Sequence, residues 1–287
     1  MIISPVIITS NMTSPPLDLD LEILRMRAYV EKVGRLAQDI LQSSVKFDFE
    51  KDDEGFMQLA FASKQIEHSK SLCILIDACQ YRDAFGLSRL MTEGLVQLSW
   101  AMKEPQERPS IWRKFVLIGE FREKHKAPAF SEHKKDLEHL LETHCKNFLN
   151  KKKRKEFERG EIKQSDIVPA DYPKSWHGFI DGNGNFEMVG TAKMYATADL
   201  TPIYGYAHTK ASGWVHWDPY SIAEALDFND DEISYINESK HLGAGALADG
   251  FNSIFWTVVW LDLHFNLGYQ QKLKEIGDSY IAKKEPC

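Results

Sequence analysis

The sequence lacks the short motifs that mark nucleotide-binding folds and serine hydrolases. It contains no G-x-G-x-x-G, no G-x-x-x-x-G-K-[ST] and no G-x-S-x-G. Each of these patterns holds backbone N–H groups or a nucleophilic serine at a tight turn beside the reacting group. Dinucleotide-binding folds, P-loop NTPases and α/β-hydrolases therefore have no support in the sequence.

Cysteine is scarce, and metal-binding spacing is missing. The four cysteines form no C-x-x-C pair, and His139 and His144 do not fit the i, i+4 spacing of a zinc-binding helix. Glu238-x-x-His241 is a single copy of a motif that a di-iron bundle needs twice. We therefore expect no metal and no cofactor, and free thiols in a reducing compartment, which indicates a cytoplasmic protein.

The chain also lacks an excess of positive charge and an uninterrupted apolar run. With 35 Lys and Arg against 42 Asp and Glu, the net charge is −7, which gives no global case for nucleic acid or an anionic membrane as partner. The most apolar late segment, 251–267, contains Asn252, Asp262, His264 and Asn266. It predicts a buried helix and no membrane association.

What the sequence has in abundance is apolar spacing of the helical kind. Helices are predicted over 17–43, 56–79, 82–102, 111–126, 131–158 and 246–267. This pattern predicts an all-α protein, an up-and-down bundle of about six or seven helices with a small β-hairpin insertion. We expect a flexible arm at 1–16 and a single helical domain over 17–287, with a projecting arm or insertion at about 131–190.

Four local signals refine this outline. Gly182-Asn183-Gly184 predicts the turn of the hairpin, and Asn229 to Glu232 has the capping-box spacing that predicts a helix start near Asp230. Gly243 and Gly245 predict a break before the last core helix. The basic run 151–155 fits either a phosphate-contacting patch or a solvated helix end whose cations favour the C-terminal dipole.

The predicted helix 82–102 is apolar nearly all the way round, as central helices are. Arg89 and Glu93 lie on one side of it among apolar residues, and their i, i+4 spacing lets them touch. A buried ion pair needs further partners, because burying ions is costly. The pair is either a structural salt bridge or a site in which Arg89 binds an anion while Glu93 orients Arg89 or His216.

A second candidate segment is YGYAHTKASGWVHWDPYS, residues 204–221. Imidazole titrates near neutral pH, which suits His216 to general acid–base catalysis. Asp218 would orient the ring, and Ser212 lies one helical turn before it. The alternative is an interior histidine packed between tryptophans and hydrogen-bonded to a neighbouring helix. A third reading is a small-ligand pocket around Trp214, Trp217 and Tyr206.

Together these segments resemble a known family. Ala84-x-x-Leu87-x-Arg89-x-x-x-Glu93, then Trp176-x-Gly178, Tyr195 and Tyr204, then Ser212-x-x-x-His216-x-Asp218 follow its pattern. The family consists of uncharacterised, mostly bacterial helical proteins catalogued as a domain of unknown function. The resemblance extends over about 56–267.

That family is similar in layout to the HEPN bundles of toxin–antitoxin and phage-defence systems, many of which are metal-independent ribonucleases that work as dimers. Their signature is R-x(4–6)-H, whereas this chain has Lys210-x5-His216. Lysine lacks the bidentate fork of guanidinium, so we expect Arg89 to supply it from another helix. The resemblance implies an RNA or protein partner and a homodimer.

Two classes of function therefore remain open. In a ribonuclease, Arg89, Glu93, His216 and Asp218 would be catalytic, and the residues that bind substrate would be Tyr204, Lys210, Ser212 and Trp214. His216 would act as general base on the 2′-hydroxyl while Arg89 holds the phosphate. In a non-enzymatic interaction module, the same residues would form a structural polar cluster. A catalytic cluster should open to solvent, and a structural one should be sealed.

Overall fold

The computed structural model describes residues 18–43, 45–126, 134–204, 209–216, 218, 222–223, 226–229, 232–235 and 240–283. Within these residues the protein is all-α with small antiparallel hairpins, so the predicted fold class is confirmed. The expected arm at 1–16 lies outside the described residues.

The elements are numbered in chain order. The longer helices are α1 (Leu19–Gln42), α2 (Asp53–Asp77), α3 (Tyr81–Ala101), α4 (Arg108–Lys126), α5 (Lys134–His144), α6 (Lys151–Glu158), α10 (Lys240–Phe265) and α11 (Gln270–Ile281). The shorter elements are β1 (Gly178–Ile180), β2 (Phe186–Met188), α7 (Thr191–Thr197), α8 (Thr201–Ile203), α9 (Thr209–Val215), β3 (Leu226–Asn229) and β4 (Glu232–Tyr235).

The described residues form two compact units. The first combines those of Met1–Trp100 with those of Tyr195–Cys287, and the second is Ala101–Met194. The second unit starts earlier in the chain than the insertion expected at 131–190, because α4 packs with α5. The organisation of 17–287 as a single domain stays a prediction.

The core of the first unit is built where α1, α2 and α10 pack on one another. Tyr29 of α1 is fully buried, edge-on to Phe251 of α10 and Tyr280 of α11 at ring distances of 6.0 and 5.4 Å. Phe251 and Tyr280 stack at 3.8 Å. The apolar face of α10 is thus buried in protein, and none of the described helices has the length and apolarity to cross a bilayer.

The helix break predicted at Gly243 and Gly245 is wrong, since both residues lie inside α10. Gly243 serves close packing instead. A Cβ atom built there would lie 2.5 Å from the ring of Tyr81 on α3. The glycine is needed for the approach of two helices, and surrounding contacts offset its low helix propensity.

The second unit has its own apolar core, and the long helix predicted over 131–158 is interrupted there. The chain leaves α5 at His144, makes a 3₁₀ turn at Lys146–Phe148 and restarts as α6. Phe148 and Leu149 are buried beside α4, and the amide of Asn150 donates to the carbonyl of Asp171 at 3.0 Å. Burial of these apolar side chains turns the predicted projecting arm back onto α4.

The basic run lies at the N-terminal end of α6. Of the run's cations, Lys155 lies in the last turn of α6 and favours the C-terminal dipole, whereas the others lie nearer the N-terminal end. Carboxylates compensate the charge instead: Lys151 pairs with Glu187 at 3.2 Å, and Arg154 pairs with Glu158 at 2.8 Å. Arg154 also donates to the carbonyl of Gly184 in the hairpin turn.

The sequence between the paired strands is rich in turn-forming residues in both hairpins. The predicted hairpin is present, with β1 and β2 joined through Asp181 to Asn185 and Phe179 opposite Glu187. The helix predicted near Asp230 is wrong, because 226–229 and 232–235 pair as antiparallel strands with Asn229 opposite Glu232, while Asp230 itself lies outside the described residues. Asn and Asp satisfy turns as readily as helix N-termini, so the capping-box spacing was ambiguous here.

Candidate functional site

Arg89 lies on α3 with its guanidinium largely withdrawn from solvent. The residue is 8% exposed, and its Nη2 atom lies 2.7 Å from Oε1 of Glu93. The Glu93 side chain keeps 24% of its surface exposed. The i, i+4 spacing on a rigid central helix fixes the guanidinium in one place.

His216 directly follows α9, and its amide donates to the carbonyl of Ser212 at 2.9 Å, so it continues the last helical turn. Its side chain is exposed, and its Nε2 atom lies 3.5 Å from Nη1 of Arg89. Guanidinium only donates, so Nε2 is the acceptor in this contact. The polar cluster opens to solvent on the side of His216.

One donor of Arg89 is unused within the described part of the chain. Its Nε atom is buried and has no hydrogen-bond partner there. An unmet buried donor costs about 1–3 kcal/mol. Charge-assisted hydrogen bonds from a guanidinium to phosphate are strong.

Tyr195 of α7 lies behind the pair and is 1% exposed. Burial raises the pKa of its phenol, the charge of Glu93 raises it further, and that of Arg89 opposes the shift. Its ring meets that of Tyr204 edge-on at 5.0 Å. Tyr195 therefore stays protonated across the physiological range, and Tyr204 adjoins the cluster through it.

Asp249 of α10 brings a second carboxyl near Tyr195, whose pKa its charge also raises. The Asp249 Oδ2 atom is buried and has no hydrogen-bond partner among the described residues. Burial raises the pKa of this carboxyl to about 7. Asp249 is not among the residues predicted from the sequence, although it is the one acidic residue inside the apolar stretch 242–255.

Other residues proposed from the sequence lie away from this cluster or outside the described residues. Trp214 donates from Nε1 to Oδ1 of Asp83 at 2.9 Å, on a different part of α3. Asp218 is exposed, and its backbone carbonyl accepts from the amide of Ile222 at 3.0 Å. Ser212 is half-buried and contributes its carbonyl to the turn of His216.

The side chain of Lys210, together with residues Tyr206 and Trp217, lies outside the described part of the structure. The structure thus brings Arg89, Glu93 and His216 together, with Tyr195, Tyr204 and Asp249 adjoining. The catalytic assignment of these residues stays a prediction.

Within the described residues, no group of three or more His, Cys, Asp or Glu could hold a metal ion. Asp181 at the hairpin turn is an example of a carboxylate with local partners. Oδ1 of Asp181 accepts from the amides of Asn183 and Asn185 at 2.9 and 2.7 Å. The carboxylate is therefore used to build its own turn.

Comparison with known proteins identified one match, which is a family model. No curated protein and no solved structure matched this chain. A family model matched residues 56–233, from α2 to the second hairpin, and this range contains Arg89, Glu93, Tyr195 and His216. The match covers more than half of the chain, and the chain therefore belongs to the family of unknown function DUF5677.

Proposed function

We propose that the cluster of Arg89, Glu93 and His216 is the active site of a HEPN-like ribonuclease that cleaves RNA without a metal ion. The observation that carries the proposal is the 3.5 Å approach of Nη1 of Arg89 to Nε2 of His216 across 127 residues of sequence. HEPN ribonucleases combine the same two groups in R-x(4–6)-H. In this protein the guanidinium comes from α3 and the imidazole from the end of α9.

The chemistry requires an RNA phosphate between the two groups. Nε2 of His216 accepts the proton of the ribose 2′-hydroxyl, and the oxygen forms a bond to phosphorus. The bond from phosphorus to the 5′-oxygen breaks, and that oxygen takes up a proton from the imidazolium or from water. Arg89 stabilises the charge that develops on the phosphoryl oxygens. The products carry a 2′,3′-cyclic phosphate and a 5′-hydroxyl.

Glu93 acts by positioning Arg89. Its 2.7 Å contact with Nη2 holds the guanidinium in place and leaves Nη1, which faces His216, for substrate. The long contact between Arg89 and His216 is weak, so a phosphate oxygen can displace it at little cost. We include a defence or toxin role and an RNA substrate in the proposal, since these accompany the HEPN layout.

One observation favours a second candidate, a non-enzymatic interaction module. Only 8% of Arg89 is exposed, which is the burial expected of a structural ion pair that joins helices. In that case the cluster stabilises the fold, and the partner is a protein bound elsewhere on the surface.

The test is RNA cleavage by purified protein and matched variants. Arg89→Lys keeps the charge but removes the fork, and His216→Asn removes the base. The control is His241→Asn, because His241 is an exposed histidine of the same unit. We expect the first two variants to lose cleavage by at least about a hundredfold, with melting temperature and the control unchanged. Undiminished cleavage by both variants would refute the proposal.

A further inference from the structure

A cleft lies between α3 and α9. Its volume is about 510 Å³, within the range of roughly 300–1,000 Å³ that small-molecule sites occupy. The side chains that line it are mostly apolar. The lining residues are Asp83, Gly86, Leu87, Leu90, Trp214, Val215 and Ile222.

The indole of Trp214 is held in a fixed orientation. Its Nε1–H donates to Asp83 at 2.9 Å, and the guanidinium of Arg82 lies 5.6 Å from the ring centroid. A ring fixed by a hydrogen bond and a cation–π contact loses little entropy when a ligand binds. Such a preformed aromatic surface suits a flat partner.

Apolar side chains around this indole remain open to solvent. Leu90 is 43% exposed and Val215 is 38% exposed, although both are large apolar residues. Gly86 brings the two helices together, because a Cβ atom there would lie 3.1 Å from Val215 Cγ2. The cleft is therefore narrow at Gly86 and unfilled beyond it.

The residues that line the cleft are sequence neighbours of the candidate active site on both helices. Trp214 and Val215 immediately precede His216, while Gly86 and Leu90 flank Arg89 on α3. Resting on the proposed function, we propose that this cleft binds the base of the nucleotide whose phosphate contacts Arg89. Stacking on an aromatic ring is the usual way in which proteins hold single-stranded bases.

Asp83 gives the cleft a preference among bases. Its carboxylate repels phosphate, so the base and not the backbone faces this end. A carboxylate accepts hydrogen bonds from exocyclic amino groups, as it does from cytosine N4. The single N–H of uracil lies between two carbonyl oxygens, which the carboxylate repels. The cleft therefore accepts adenine, guanine or cytosine in preference to uracil.

The experiment is titration of the protein with adenosine, guanosine, cytidine and uridine while the indole N–H resonance of Trp214 is followed by NMR. The resonance is assigned by its loss in Trp214→Phe. Nucleosides lack phosphate, so their binding needs neither Arg89 nor cleavage. We expect saturable shifts for the amino-bearing nucleosides, with affinity for uridine weaker by about tenfold.

Two variants and a control complete the test. Leu90→Glu places a charge in the cleft and should weaken binding by about five- to a hundredfold, as loss of a stacking contact does. Leu24→Glu on α1 is the control, because Leu24 is 63% exposed and remote in sequence. Asp83→Asn keeps an acceptor for Trp214 but should remove the discrimination against uridine.

The outcomes separate this inference from the proposed function. Nucleoside binding by an unmodified protein that cleaves no RNA would uphold the base site and refute the ribonuclease. RNA cleavage without any nucleoside shift at Trp214 would do the reverse. The base site would also be overturned if Leu90→Glu left the nucleoside-induced shifts of the Trp214 resonance unchanged. The same holds if an apolar peptide shifted this resonance and the nucleosides did not.

Discussion

Nη1 of Arg89 lies 3.5 Å from Nε2 of His216, and the same guanidinium contacts Glu93 at 2.7 Å. A buried cation is thereby held between a half-buried carboxylate and an exposed imidazole. The arrangement has an inner end fixed by protein and an outer end accessible to solvent. A phosphate-binding site requires a fixed cation with one side accessible to solvent. The first prediction follows from this arrangement.

Removing Arg89 should destabilise the protein as well as affect the site. Arg89→Met leaves the carboxylate of Glu93 without its guanidinium partner, which should lower the free energy of unfolding by about 1–3 kcal/mol. Part of the Glu93 charge is still solvated, so the larger cost of a fully buried ion is not expected. Urea denaturation of the single variants and of Arg89→Met with Glu93→Gln measures the coupling.

This double-mutant cycle distinguishes a purely structural ion pair from a substrate-binding site. If Glu93→Gln restores the stability lost in Arg89→Met but not RNA cleavage, the guanidinium has a role beyond the ion pair. If the double variant recovers both, the role of Arg89 is structural.

A second ion cluster gives a prediction on pH. His264 near the end of α10 contacts Asp52 at 2.8 Å and Glu54 at 3.1 Å, at the start of α2. Hydrogen bonding to Glu54, then to Asp52, raises the pKa of His264 to about 9. The folded pKa exceeds the unfolded value near 6.5, so this stabilisation is complete below about pH 6.5 and is lost as pH rises through about 9.

His264→Gln should therefore lower the free energy of unfolding by about 1–2 kcal/mol at pH 6, after allowance for solvent screening. The difference from the unmodified protein should vanish by about pH 10. Chemical denaturation across this pH range measures it, and His241→Gln, on the exposed surface of the same helix, should have no such pH dependence. A difference that is constant from pH 6 to 10 would show that His264 acts by packing.

Two helical glycines should respond to alanine in opposite directions. Gly243→Ala places a Cβ atom 2.5 Å from the Tyr81 ring and should destabilise the protein by about 1–3 kcal/mol. Among the described residues, no atom beyond the backbone of α4 itself lies within 4 Å of such a Cβ at Gly119, so Gly119→Ala should stabilise the protein by up to about 1 kcal/mol. Thermal melts of both variants test this. Stabilisation by Gly243→Ala would contradict the packing described for α3 and α10.

The cysteines should differ in reactivity. Burial raises the pKa of Cys73 to about 11 and that of Cys145 to about 12, whereas Cys79 is exposed. Because the thiolate is the reactive form, iodoacetamide at pH 7.5 should modify Cys79 much faster than the other two. Mass spectrometry of the labelled peptides, in a Cys287→Ser background, provides the rates. Equal labelling of Cys73 in the native protein would show that α2 opens readily.

The sequence predicts the helices well because their apolar spacing is a local property. The same spacing places Arg89 and Glu93 on one face of α3. It cannot bring His216 to Arg89, because that contact depends on how α9 packs after more than a hundred intervening residues. The partners of His264 were missed for the same reason, since Asp52 is 212 residues away.

The wrong predictions also have physical causes. Gly243 looked like a helix break because its tertiary contact with Tyr81 is invisible in the sequence. The helix expected near Asp230 became a hairpin because capping residues and turn residues are the same amino acids. Tertiary packing decides the case of Gly243, and an ambiguous local signal accounts for the case of Asp230.

In the proposed mechanism, Arg89 and His216 cleave RNA by attack of its 2′-hydroxyl on the phosphate. The most direct measurement is analysis of the products formed from one RNA oligonucleotide and from its fully 2′-deoxy counterpart, in the presence of EDTA. We predict cleavage of the RNA alone, with 2′,3′-cyclic phosphate and 5′-hydroxyl ends, and loss of these products in His216→Asn. An intact RNA, or equal cleavage of the deoxy strand, would contradict the mechanism.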